Sequence, residues 1–146
     1  ELGFKGGFIL MDQAKVDEVA KVTGGLDLPN GSVGVLPVAY DERQGAKTFA
    51  AAYRKAYGAD RDPTTESSYN YTLTHALAAA MKLAGTTTDA TAIRAKMGEA
   101  LAKLPAQYNA GDFRGIDDKG GTIVDPVVVT VEGGKIKPVS LSELGK

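Results

Sequence analysis

Two hydrophobic periodicities alternate along the first two thirds of this chain, and only one of them continues to its end. Short apolar runs of the kind found in buried strands occur at residues 7–11 and 32–39. Apolar residues at the spacing of a helix face occur between these runs and after them, up to about residue 104. From residue 113 onward only short strand patterns remain. This order predicts an α/β fold with a terminal antiparallel strand segment.

Capping residues, glycines and prolines set the expected limits of these helices and strands. Helices are expected at residues 13–22, 42–57, 67–84 and 90–104, and strands in the last third at residues 113–116, 122–124, 127–132 and 136–139. Ser67 or Ser68 is expected to cap the third helix, and Asp89 the fourth. Pro37 predicts the end of regular strand pairing, because proline has no N–H to donate.

The composition excludes several classes of protein. The 17 basic and 18 acidic residues give a net charge of −1, so no field of one sign is available to hold a nucleic acid. The chain has no cysteine, which excludes disulfides, zinc–thiolate sites and thiol nucleophiles. The longest mostly apolar stretch, residues 76–84, contains Lys82 and is too short to cross a bilayer.

No residue pattern predicts catalysis. The only histidine, His75, has no carboxylate near it in the sequence that would complete a Ser-His-Asp relay. The acidic groups at residues 60–62 and 117–118 adjoin turn residues, so solvated turns explain them better than a metal site does. None of the glycine pairs has the spacing of a phosphate-binding loop. We therefore expect a protein that is not an enzyme and holds neither metal nor cofactor.

Two polar clusters are candidates for ligand binding. The first, at residues 67–70, places Ser67 and Tyr69 at the start of the long third helix, where free N–H groups favour an anion. The second, Asn30 and Gly31 with the following serine, precedes a strand. Helix capping explains the first cluster equally well, and a tight turn explains the second.

Short motifs in a particular order extend over nearly the whole chain. They begin with the sequence Leu-Gly-Phe before the first strand and continue with a glycine-led strand that ends at Pro37. A helix with aromatic residues at every fourth position follows, and then an alanine-rich helix opened by two tyrosines. The motifs lie at residues 2–4, 31–41, 49–63, 69–85, 89–94 and 113–120. In this order the chain resembles the C-terminal part of a type I periplasmic solute-binding protein, of the branched-chain amino acid (Leu/Ile/Val) receptor group served by ABC importers.

The resemblance implies part of a two-lobed fold that closes over a small ligand. Residues 1–60 would form part of the second, C-terminal lobe, residues 61–112 helices of the first lobe, and residues 113–146 the closing strands that return between the lobes. The chain begins at Glu1, without an initiator methionine or a signal segment, so we expect a piece of a longer periplasmic protein. The exposed faces of such a piece favour self-association.

The same resemblance implies which residues contact the ligand. Amino-acid receptors of this group carry an acidic residue before the glycine of the strand that leads to Pro37, where it pairs with the ligand ammonium. Here that position holds Asn30, followed by Gly31, and a neutral amide cannot neutralise a buried ammonium. The implied ligand is a small organic acid, either an aromatic carboxylate or amino-acid-like. The other implied contacts are Ser67, Tyr69, Met11 and Asp12.

Three functions remain open on this basis, the third of which is an enzyme domain whose catalytic residues lie on another part of the protein. The first is a transport receptor that delivers its ligand to an ABC permease after a hinge closure, without chemistry. The second is a ligand-sensing module of a signalling protein built on the same fold.

Overall fold

In the computed structural model, which describes residues 3–11, 14–27 and 29–144, the chain folds as two units. Unit 1 comprises Glu1–Asp41 and Asp125–Lys146, and unit 2 comprises Glu42–Val124. The elements in chain order are β1 (Ile9–Leu10), α1 (Val16–Thr23), β2 (Val33–Val35), α2 (Gln44–Tyr57), α3 (Thr65–Ala84), α4 (Ala90–Ala102), β3 (Gly115–Ile116), β4 (Thr122–Ile123), β5 (Val127–Glu132) and β6 (Lys135–Ser140), with short 3₁₀ helices at Val38–Tyr40, Ala106–Tyr108 and Leu141–Glu143.

Unit 1 contains a mixed sheet of four strands in the order β1-β2-β5-β6. β1 and β2 are parallel, with Ile9 opposite Val33. β2 and β5 are antiparallel, and so are β5 and β6, which the Gly133–Gly134 turn joins. The core consists of Val16 from α1, packed with Leu36, Val129 and Val131. The last two strands of the expected terminal antiparallel segment, β5 and β6, are therefore part of the same sheet as β1 and β2, whereas β3 and β4 form a sheet of their own.

Unit 2 consists of the helices α2, α3 and α4 and the β3–β4 hairpin. Its core has two neighbouring clusters. In one, Ala76 of α3 and Leu101 of α4 pack with Phe113; in the other, Ala80 packs with Ile93 and Ala100. Alanine at these buried positions lets the axes of α3 and α4 approach each other closely.

Most expected elements are present, and one predicted cap is wrong. α3 begins at Thr65, and the side chain of Thr64 accepts a hydrogen bond from Ser67 N–H. Ser67 and Ser68 are thus inside the first turn, because Thr64, directly after Pro63, already provides the capping oxygen. Asp89 caps α4 as predicted, through a 3.0 Å hydrogen bond from Ala92 N–H. β2 ends before Pro37, as its missing N–H requires.

The boundaries of the two units differ from the boundaries of the three predicted segments. Residues 42–60, predicted to belong with the first strands, are part of unit 2, and residues 125–146 are part of unit 1. Which segment belongs to which lobe of a whole receptor remains a prediction.

Candidate functional site

The residues predicted to contact a ligand are divided between the two units. Met11, Asn30 and Gly31 are in unit 1, and Ser67 and Tyr69 are in unit 2. Asp12 lies outside the described residues.

In unit 1, strand direction separates Met11 from the Asn30–Gly31 pair. β1 and β2 are parallel with Ile9 opposite Val33, so Met11 follows the carboxyl end of β1, whereas Gly31 precedes the amino end of β2. Four residues of strand separate the two positions along the sheet, which is about 13 Å at 3.3 Å per residue. Met11 and Asn30 therefore lie at opposite ends of the strand pair.

Asn30 and Gly31 form a tight turn. Asn30 N–H donates to Asp27 O at 3.3 Å, and Gly31 N–H donates to Val131 O at 2.8 Å. Gly31 has φ +76°, a conformation that favours glycine. Asn30 is exposed. A tight turn, which the sequence also allows for this cluster, therefore accounts for both residues without a ligand.

The carboxyl end of β1 is open and apolar. Met11 is 68% exposed, and Ile9 before it is 77% exposed. β1 is also an edge strand of the sheet. In α/β sheets, ligands bind outside the carboxyl ends of parallel strands, so this end of unit 1 is the better candidate for ligand contact.

In unit 2, Ser67 and Tyr69 lie on different faces of α3. The Ser67 hydroxyl donates to Thr64 O at 2.7 Å. The Tyr69 ring packs on Phe113, with ring centroids 5.4 Å apart. Two positions along a helix turn the side chain by about 200°, so the two side chains leave the helix in nearly opposite directions.

Ser67 instead lines an aromatic cavity between α2 and α3. The cavity measures about 330 Å³, and its other walls are Phe49, Ala52, Tyr53, Ala56, Tyr57 and Tyr71. Burial raises the pKa of the Tyr71 hydroxyl, and this group donates to Gln107 O at 3.4 Å. From the sequence, Phe49, Tyr53 and Tyr57 are expected only as an aromatic stripe on one helix. Their four-residue spacing places the three rings on one face of α2, where they form one wall of the cavity.

The groups considered for chemistry have structural contacts. The His75 ring lies between the rings of Tyr71 and Tyr108, at centroid distances of 4.6 and 4.3 Å. Asp62 pairs with Arg54 at 2.5 Å. The Asp117 carboxylate accepts hydrogen bonds from the N–H groups of Lys119 and Gly121, and so closes the β3–β4 turn.

The part of the chain that the structure describes contains neither a metal-binding cluster nor a membrane-spanning helix. Within residues 3–11, 14–27 and 29–144, no three His, Cys, Asp or Glu side chains are grouped so that they could hold a metal ion. In the same ranges, no helix combines the length and the hydropathy needed to cross a membrane.

Comparisons with known proteins place this geometry in a family. A family model described as "Periplasmic binding protein" matches residues 1–135. The crystal structure of a leucine binding protein, LivK from Thermotoga maritima, superposes with a TM-score of 0.68 at 23% sequence identity. The superposition covers 98% of this chain and 40% of LivK, so the chain spans less than half the length of that protein. No curated protein sequence matches significantly.

These findings confirm the resemblance predicted from the ordered motifs, and with it the α/β fold of part of a two-lobed binding protein. Periplasmic binding proteins bind solutes and are not enzymes, which agrees with the expectation from the residue patterns. Since the family model matches all but the last 11 residues, the chain belongs to the periplasmic binding protein family.

Proposed function

We propose that this chain is part of an extracytoplasmic receptor that binds a small organic acid between two closing lobes and delivers it to an ABC importer. The observation that carries the proposal is the family match over residues 1–135. The fold of a leucine binding protein supports an amino-acid-like ligand. Closure is a hinge motion that the ligand drives by contacting both lobes.

The open carboxyl end of β1 is the proposed ligand end of unit 1. Met11 is exposed there, and Asp12, the next residue in the sequence, carries a carboxylate. A carboxylate neutralises an ammonium, which the amide of Asn30 cannot do. Ligand contact at this end therefore favours an acid that also carries an ammonium group. Contact at Asn30 would favour an acid without one, such as an aromatic carboxylate.

Thermal unfolding in the presence of candidate ligands tests both the receptor function and the proposed class of ligand. The longest natural form of the protein that contains this chain is heated with leucine, valine, phenylalanine or benzoate, each well above its Kd. A bound ligand raises the unfolding midpoint by mass action. We expect the amino acids to raise it. No shift with any of these four acids, or with a broader panel of small carboxylates, would contradict the receptor function.

Two single substitutions decide which end contacts the ligand. Asp12→Asn keeps the shape of the side chain and removes its charge, and we expect it to weaken amino-acid binding by about thirtyfold, the effect of losing a charge partner worth about 2 kcal/mol. Asn30→Asp adds a charge in the exposed turn and is expected to leave binding unchanged. The reverse pattern would assign the ligand to the Asn30 end.

Self-association of the chain by itself is also part of this proposal. β1 is an edge strand of the sheet. Ile9 within it, and Phe4 and Met11 near it in the sequence, are each more than 60% exposed. Exposed apolar strand edges pair with other strands. Sedimentation velocity is expected to show dimers whose population falls when Ile9 is replaced by lysine; a monomer at all concentrations would contradict this.

A further inference from the structure

Asn30 is the only asparagine of the chain that is followed by glycine, and it is exposed. Asparagine is chemically labile at such a position, because the backbone nitrogen of the next residue attacks the carbon of the side-chain amide. Glycine has no Cβ that would hinder this attack. The other two asparagines, Asn70 and Asn109, precede tyrosine and alanine. The chemistry of the sequence therefore favours deamidation at Asn30.

The structure holds the turn at Asn30 closed. Gly31 N–H donates to Val131 O at 2.8 Å, and Ser32 N–H donates to Pro29 O at 2.9 Å. The side chains of Pro29 and Ser32, one on each side of the Asn30–Gly31 pair, are buried. The backbone of the pair is therefore fixed, although Asn30 itself faces water.

The hydrogen bond from Gly31 to Val131 opposes the reaction directly. The nitrogen of Gly31 attacks only after it has lost its proton, and the carbonyl oxygen of Val131 holds that proton in place. The nitrogen must also reach the side-chain carbon of Asn30, which requires rotation of the peptide group between the two residues. This rotation turns the N–H of Gly31 away from Val131, so the ring can close only when the turn opens.

We propose that Asn30 is a site of spontaneous deamidation and that opening of the Gly31–Val131 hydrogen bond controls its rate. A bond forms between the nitrogen of Gly31 and Cγ of Asn30, and the bond between Cγ and Nδ2 breaks. Nδ2 takes up the proton that the Gly31 nitrogen has lost and leaves as ammonia, so that a succinimide ring remains. Water then adds to one of the two ring carbonyls and gives aspartate or isoaspartate. The inference concerns this turn alone and does not depend on the proposed function.

The isoaspartate product does not fit the closed turn. It has one additional carbon in the main chain before Gly31, and the carbonyl oxygen of Gly31 packs so closely on Gly7 that a Cβ there would clash with it. Phe8, the next residue, donates its N–H to Ser32 Oγ at 2.9 Å. The additional carbon displaces the segment to which β1 is attached, so isoaspartate should loosen β1.

Mass spectrometry of peptides from the incubated 146-residue chain tests the site. At mildly alkaline pH we expect Asn30 to become an acid in the urea-unfolded chain. In the folded chain we expect this conversion to be at least tenfold slower, since opening must first break native hydrogen bonds. Asn70 and Asn109 should remain amides in the folded chain. A stable Asn30 in the unfolded chain, or equal rates in the folded and unfolded chains, would overturn the proposal.

Two core substitutions test which opening controls the rate. Val131 is fully buried in the core of unit 1, and Leu101 is 1% exposed in the core of unit 2. Both lie far from Asn30 in the sequence, so neither changes the chemistry of the Asn30–Gly31 pair. We expect Val131→Ala to accelerate the conversion at least tenfold, because truncation of a core side chain destabilises the unit around it, and Leu101→Ala to leave it unchanged. Equal rates in the two variants would overturn control by the turn.

Hydrogen exchange provides an independent measure of the same opening. The amide of Gly31 should exchange faster in Val131→Ala by the same factor as the conversion, because one opening event frees the proton for both reactions. In the incubated chain, the fraction that contains isoaspartate should exchange faster at Phe8 than Asn30→Asp does, since this variant has the charge without the additional carbon. Exchange at Gly31 that changes without any change in conversion would contradict the proposed control.

Discussion

The hydroxyl of Thr72 accepts a 3.0 Å hydrogen bond from the backbone N–H of Ala110, which lies 38 residues further along the chain. The same hydroxyl donates to Ser68 O at 3.0 Å. Thr72 is fully buried, and Ala110 is 2% exposed. One side chain thus joins α3 to the segment between α4 and β3.

Thr72→Val keeps the shape of this side chain and removes both hydrogen bonds. The buried N–H of Ala110 is then left without its partner, so we expect a loss of about 1–3 kcal/mol in the free energy of unfolding. Urea denaturation measures it. Thr74→Val is the control, because Thr74 is exposed and bonds only within its helix, and it should change stability by about 0.5 kcal/mol or less. Equal effects of the two substitutions would contradict the role of Thr72.

Gly45→Ala and Gly98→Ala are expected to have opposite signs. A Cβ at Gly45 would clash with the carbonyl oxygens of Asn109 and Ala106, whereas a Cβ at Gly98 would meet its nearest atom, Ile116 N, at an ordinary 3.7 Å. Alanine in the interior of a helix stabilises by about 0.5–1 kcal/mol relative to glycine, so Gly98→Ala should raise stability. Gly45→Ala should lower it by about 1–3 kcal/mol. A stabilised Gly45→Ala variant, measured by urea denaturation, would show that the close approach is absent.

Ser32→Ala tests the attachment of β1. Ser32 is 2% exposed, and its hydroxyl oxygen accepts a 2.9 Å hydrogen bond from Phe8 N–H. Without this oxygen the N–H of Phe8 loses its partner, and we expect unit 1 to lose about 1 kcal/mol of stability. Hydrogen exchange should become faster at Phe8 and Leu10 while unit 2 is unaffected. Ser142→Ala, which removes an exposed hydroxyl of unit 1, serves as the control.

Acid sensitivity should depend on Glu99. Hydrogen bonds from Lys103 and Lys96 hold the pKa of the Glu99 carboxyl below its ordinary value of 4.5. A carboxyl with a lowered pKa in the folded state contributes stability above its unfolded pKa, and this contribution is lost as the pH falls through the folded pKa. Glu99→Gln should therefore reduce the loss of stability between neutral and acidic pH, measured by thermal unfolding at a series of pH values. An unchanged pH profile would contradict the role of this charged cluster.

Local patterns were sufficient to predict most of the elements. The α2 stripe was visible from the spacing of Phe49, Tyr53 and Tyr57, and Asp89 was recognised as a cap from its position before an apolar periodic run. The cap of α3 was predicted at least three residues too late, because Thr64 and Ser67 are both good capping residues and the sequence alone does not rank them. The family was recognised from the order of many weak motifs rather than from any single one.

The candidate sites show where local patterns no longer suffice. Gly31 and Met11 were both predicted as ligand contacts from their places in the motif order, and strand direction puts them about 13 Å apart along the sheet. Their contact with a ligand remains a prediction. The cavity that Ser67 shares with Tyr53 and Tyr57 was not predicted, because no spacing rule connects residues on two different helices.

The sequence by itself determined the α/β class, the approximate limits of the helices and strands, the absence of cysteine chemistry and the family. Each of these depends on periodicity, composition or motif order, which can be read within short windows of the chain. Only the tertiary structure decided which end of β1 is open and which side chains of α2 and α3 share a cavity. Strand pairing and helix packing bring distant residues together through many weak contacts, and no local pattern specifies that geometry.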